Sequence, residues 1–68
     1  MDIKYTYMDE KRPIQKAEFK TKTGTFCLIE TQGEIVGILM PHSAFNKPDL
    51  AGLITLLQRF YKQMPEVE

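Results

Sequence analysis

Cys27, His42, Ser43 and Asp49 are the residues whose types could support nucleophilic chemistry. A cysteine nucleophile acts as the thiolate, so it needs a basic neighbour or a helix N-terminus to lower its pKa. Cys27 lies between Phe26 and Leu28 in an apolar run, and His42 follows fifteen positions later, past a predicted strand end. A cysteine so placed reads as a small buried hydrophobe. His42, Ser43 and Asp49 hold the residue types of a hydrolase triad, but no nucleophile elbow surrounds Ser43 and nothing marks an oxyanion site. Ser43 and Asn46 fit turn and capping roles instead. Asp9 and Glu10 are adjacent in a charged turn and form no acid–base pair. The glycines at 24, 33, 37 and 52 are scattered, so no phosphate-cradling loop exists. One cysteine and one histidine furnish neither an internal disulfide nor a structural zinc site. The expectation is a non-enzyme without metal or cofactor.

The charge pattern offers binding chemistry. Lysines, arginines and acids balance at nine of each sign, yet Lys11, Arg12, Lys16, Lys20 and Lys22 crowd residues 11–22 against Glu18 alone. Lys16, Lys20 and Lys22 fall on one side of an alternating segment, with Tyr5 and Tyr7 expected in an adjoining strand. Sheet-borne aromatic and basic groups bind single-stranded nucleic acid through stacking and phosphate contacts. Lysines on a solvated edge strand, which deter edge-to-edge pairing, are the plainer reading.

The elements that would position these groups follow from periodicity. Asp2 to Tyr7 alternates, with Ile3, Tyr5 and Tyr7 on one side, and predicts a half-buried strand. Asp9, Glu10, Lys11, Arg12 and Pro13 form a charged turn. Alternation resumes from Gln15 through Ala17, Phe19 and Thr21, Thr23-Gly24 predicts a tight turn, and Thr25 to Thr31 predicts a strand. Gln32-Gly33 predicts a second turn and Glu34 to Met40 the next strand, so two hairpins in series form a meander. After the connector 41–45, Asn46 or Lys47 caps a helix with Pro48 in its first turn and Asp49 at the positive end of the dipole. Leu50, Leu53, Ile54, Leu56, Leu57, Phe60, Tyr61 and Met64 fill one arc of it. Gly52, Arg59 and Gln63 fall on the other, Pro65 marks the stop, and residues 66–68 read as a frayed tail.

Two-residue loops would set Phe19 opposite Leu28, Cys27 opposite Ile38 and Ile29 opposite Val36. Ala17, Phe19, Thr21, Phe26, Leu28, Ile35 and Leu39 then share the face expected beneath the helix. Cys27, Ile29, Val36, Ile38 and Met40 share the other face, beside Lys16, Glu18, Lys20 and Lys22. One helix covers one face, so these five apolar residues are the expected dimer or partner interface, the alternative being that the first strand or the Pro41–Asn46 connector folds over them.

At 68 residues the chain fits one domain, 1–68, of α+β class: an antiparallel meander of three to four strands with one C-terminal amphipathic helix on one face, in ββββα order. A chain this short buries only about 60% of its unfolded surface, which favours oligomerisation as a support. No apolar run reaches the roughly 18 residues of a membrane span and no signal-peptide core follows Met1, so a cytoplasmic location without membrane contact is expected.

The order of four strands and a helix, with a glycine-containing last strand leading through Gly37-Ile38-Leu39-Met40-Pro41 into the helix, resembles the single-stranded-DNA-binding domain of the PC4 coactivator class. The parallel spans residues 14–64 and rests on element order, while the loops are shorter and the chain less basic than in that class. It implies a dimer and a nucleic-acid partner, and transfers no site residues. The expected function is non-catalytic binding, as a homodimer and to an unidentified protein, in the manner of adaptors, inhibitors or accessory subunits, phage-encoded ones included. The alternative is single-stranded nucleic-acid binding through the basic strand 16–22 and Tyr5 and Tyr7.

Overall fold

The computed structural model describes residues 1–9 and 13–66. Within them run β1 (Ile3–Tyr7), β2 (Ile14–Lys20), β3 (Phe26–Gln32), β4 (Ile35–Leu39) and α1 (Lys47–Gln63). The strands form one antiparallel sheet in the order β1-β2-β3-β4, followed by the C-terminal helix, the expected ββββα architecture. Glu10, Lys11 and Arg12 of the expected charged turn, and Val67 and Glu68 of the expected tail, lie outside the described residues.

The β2–β3 loop corrects the expected register. Thr21 N–H donates to Thr25 O at 3.0 Å and Gly24 N–H to Thr21 O at 2.9 Å, so the loop is the three residues Lys22, Thr23 and Gly24. Gly24 has φ +82, the left-handed conformation that such a loop needs at its last position. The additional loop residue moves the pairing by one, giving Phe19↔Cys27, Ala17↔Ile29 and Lys20↔Phe26. A one-residue slip turns a strand's side chains to the opposite face. Ala17, Phe19 and Thr21 therefore share a face with Cys27 and Ile29, while Lys16, Glu18 and Lys20 share one with Phe26 and Leu28.

In the β3–β4 hairpin the turn is Gly33-Glu34, with φ +68 at Gly33, where Gln32-Gly33 was expected. Pairing moves by two, to Ile29↔Ile38, Glu30↔Gly37 and Leu28↔Leu39, so the faces of β4 are kept. At the other edge Thr6 pairs Lys16 but Tyr7 pairs Ile14, a bulge that leaves Gln15 without a partner in β1. The bulge turns Ile14 from the side of Lys16 to the core side, where it is fully buried.

The core consists of Ile14, Ala17, Phe19, Cys27 and Ile29 from the sheet and Leu53, Leu56 and Phe60 from the helix. The helix begins at Asn46, whose Oδ1 accepts from Asp49 N–H at 2.9 Å, and stops before Pro65. Its buried side is rotated from the centre of the apolar arc by about 50°, at roughly 100° per residue. Two polar residues cause the rotation. The Gln63 amide donates to Ile14 O at 2.8 Å and to Thr31 Oγ1 at 3.2 Å, and accepts from Ile14 N–H at 3.0 Å. The Arg59 guanidinium lies 4.8 Å from the centre of the Tyr5 ring. Both draw the helix toward β1 and β2 and leave Leu50, Ile54 and Tyr61 exposed on the opposite flank.

Candidate binding surface

The sheet face opposite the helix has no cover from the described residues, and its two halves differ. On β1 and β2 it carries Lys4, Lys16, Glu18 and Lys20. Lys16 Nζ lies 3.2 Å from a Glu18 carboxylate oxygen, and Glu30 stands opposite Lys16 on β3. On β3 and β4 the same face carries Phe26, Leu28, Ile35 and Leu39 together with Glu30, Gln32 and Gly37, and Phe26 is 45%, Ile35 63% and Leu39 52% exposed. Gly37 shapes this half. A Cβ there would lie 2.7 Å from Gln32 Nε2, so its absence lets the Gln32 side chain lie across the strand.

The five residues expected to form an uncovered interface divide. Cys27 and Ile29 are fully buried beneath the helix, and Val36 and Met40 pack partly against the core. Ile38, at the β4 edge, is 56% exposed. The correction follows from the three-residue β2–β3 loop, which places the aliphatic partners of Cys27 under the helix and turns Phe26 and Leu28 outward.

The residues singled out for nucleic-acid contact do not meet on one surface. Tyr5 and Tyr7 stack with ring centroids 6.1 Å apart, and Tyr5 lies on the helix side beneath Arg59. Lys16 and Lys20 point from the other face. Lys22 sits in the hairpin loop, its Nζ 3.9 Å from Asp49, whose carboxylate also meets the Met1 ammonium at 3.4 Å. An open depression of about 680 Å³ at this end of the sheet mixes Lys20 and Lys22 with Asp2, Glu18 and Asp49.

Of the residues with nucleophilic potential, the fold brings Cys27 and Ser43 together and engages Asp49 elsewhere. Cys27 is buried with its Sγ 3.6 Å from Ser43 Oγ, and that hydroxyl donates to Pro41 O at 2.7 Å. His42 is exposed, and Asp49 is engaged by two cations. Among the described residues no group of histidine, cysteine and carboxylate side chains could hold a metal ion, and no helix is long and apolar enough to cross a membrane.

Sequence reasoning missed the strip Phe26, Leu28, Ile35 and Leu39, and two signals could have found it. A two-residue turn at Thr23-Gly24 would set a β-branched residue at a position that favours φ above zero. The three-residue loop also gathers Ala17, Phe19, Cys27, Ile29, Val36 and Ile38 on one apolar face, where the expected register mixed such residues with lysines. Comparison with known proteins finds no family model, no curated protein and no solved structure that matches this chain.

Proposed function

We propose that this chain is a small non-catalytic interaction protein, an adaptor, inhibitor or accessory subunit, that works as a homodimer and presents its open sheet face to another protein. The observation that carries this reading is the apolar half of that face, with Phe26, Ile35 and Leu39 each exposed by nearly half or more. Phe26, Leu28 and Leu39 adjoin one another, with Glu30 and Gln32 between them and Ile35, and an apolar patch rimmed by polar groups is the pattern of a protein-binding surface. Binding of single-stranded nucleic acid through Lys16, Lys20, Lys22, Tyr5 and Tyr7 has less support, because those groups occupy different surfaces. Cytoplasmic residence belongs to the same proposal: a reducing compartment keeps the lone Cys27 as a thiol.

Capture from a cell lysate on immobilised protein, run beside a Phe26→Lys variant, tests the reading. A protein retained by the parent chain and lost by the variant is the expected result. Retention by both would move binding off the open face. Titration with a labelled oligonucleotide across a salt series covers the alternative, since phosphate contacts give a steep negative slope. Tight binding with such a slope would overturn protein recognition in favour of nucleic acid.

A further inference from the structure

We infer that two copies of this chain pair through their β4 edges, antiparallel about a twofold axis at Gly37, to form one continuous eight-stranded sheet. The inference rests on the interaction reading above and names one partner, a second copy, and its mode of contact.

The two sheet edges are built differently. β1 carries Lys4 within the strand and Asp2 before it, and its ladder with β2 is interrupted by the bulge at Gln15, all features that discourage pairing with another strand. β4 reads Ile-Val-Gly-Ile-Leu, with no charge, no proline and an unbroken register against β3. Its outer edge leaves a row of backbone donors and acceptors unpaired by the sheet, beside Ile35, Ile38 and Leu39, each more than half exposed. A flat, apolar, unprotected edge is a template for strand addition.

The sequence of β4 is also self-complementary. An antiparallel twofold pair that keeps both sheets facing the same way must match residues of equal parity. Centred on Gly37, it sets Ile35 opposite Leu39 of the second copy and Val36 opposite Ile38, so all five residues of β4 pair. Moving the axis to Val36 or Ile38 shortens the ladder. In the centred register every facing pair apart from the glycines is aliphatic, and cross-strand pairs of this kind stabilise sheets. Gly37 faces itself at the axis, where the absence of a side chain suits close approach of two backbones.

An axis perpendicular to the sheet also sets both helices on one side, with the exposed flanks bearing Leu50, Ile54 and Tyr61 turned toward the junction.

Light scattering after size exclusion, with protein at about 200 μM, should give twice the monomer mass by mass action. Ile38→Lys, which sets a charge opposite Val36 of the second copy, should return the monomer with its helical circular dichroism intact. Phe26→Lys, on the open face away from the edge, should leave the dimer in place. Amide exchange of the parent chain supplies a readout independent of any substitution. Alternate amides of β4, and not those of β1, should exchange about tenfold or more slowly when the protein is concentrated, since only the paired form protects them. A monomer at the higher concentration would overturn the proposal together with the homodimeric part of the functional reading. A dimer that survives Ile38→Lys, or β4 amides whose exchange ignores concentration, would overturn edge pairing alone and leave open-face binding standing.

Discussion

Replacing Gln63 by alanine should loosen the junction between the helix and the start of β2. Its amide makes three contacts, donating to Ile14 O and Thr31 Oγ1 and accepting from Ile14 N–H. Each such bond is worth about 1 kcal/mol net. The Ile14 carbonyl keeps a second donor, the Thr31 hydroxyl at 3.0 Å, so its loss is partly absorbed. The Ile14 amide accounts for the larger share of the cost, because its only acceptor among the bonds described is Gln63. The expected destabilisation is about 2 kcal/mol, against a total of about 5 kcal/mol for a domain of this size. In urea, with a slope near 1 kcal/mol per molar, the midpoint should fall by roughly 2 M, and Tm by roughly 10 °C. All variants must be compared at one protein concentration, because self-association adds stability by mass action. Gln58→Ala, on the exposed side of the helix, serves as the control and should lie within about ±0.5 kcal/mol. A double-mutant cycle with Thr31→Val should return a coupling of about 0.5 kcal/mol or more. If Gln63→Ala matched Gln58→Ala, or the cycle closed at zero, the claim that this side chain fixes the helix would fail.

Leu56→Ala should cost about 2–5 kcal/mol and Leu57→Ala less, because Leu56 is fully buried and Leu57 only partly so; equal losses in denaturant titration would contradict the helix rotation. Asn46→Ala removes the acceptor for Asp49 N–H and should lower stability by about 1 kcal/mol, with Asn46→Ser recovering most of it. Cys27 should resist a thiol reagent in the native state and react only as the chain unfolds, so labelling as fast as that of a free thiol would contradict its burial.

The element order, both hairpins and the helix were legible because periodicity and turn residues are local signals. Strand faces were not, since they hang on whether Lys22 belongs to a strand or a loop, and that single residue exchanged the roles of Cys27 and Phe26. The β3–β4 turn was misplaced by one position at each end, an even change that preserved its faces. Helix phase failed for another reason: Arg59 and Gln63 read as solvent-facing polar residues, yet each finds a partner on the sheet. Of the apolar arc, Leu53, Leu56 and Phe60 form the buried side, while Leu50, Ile54 and Tyr61 stay exposed. The candidate surface inherited these errors, so Ile38 kept its exposure while Cys27 and Ile29 moved inside.

The helix that closes the core is synthesised after all four strands. The four strands emerge in the order in which they neighbour one another, so each hairpin closes a short loop and can form early. Helix docking is different, because Gln63 meets Ile14 across 49 residues of sequence. Until that junction closes, the nascent sheet exposes Phe19 and Ile29 on one side and Leu28 and Leu39 on the other, with β4 bare at its rim. At translation rates of about 5–20 residues per second, the interval between the completion of β4 and of the helix lasts on the order of seconds. Crowded ribosomes translating one message would hold several such sheets close together during that interval. Any truncation that removes the last helical turn would prolong this vulnerable state and direct the product toward aggregation.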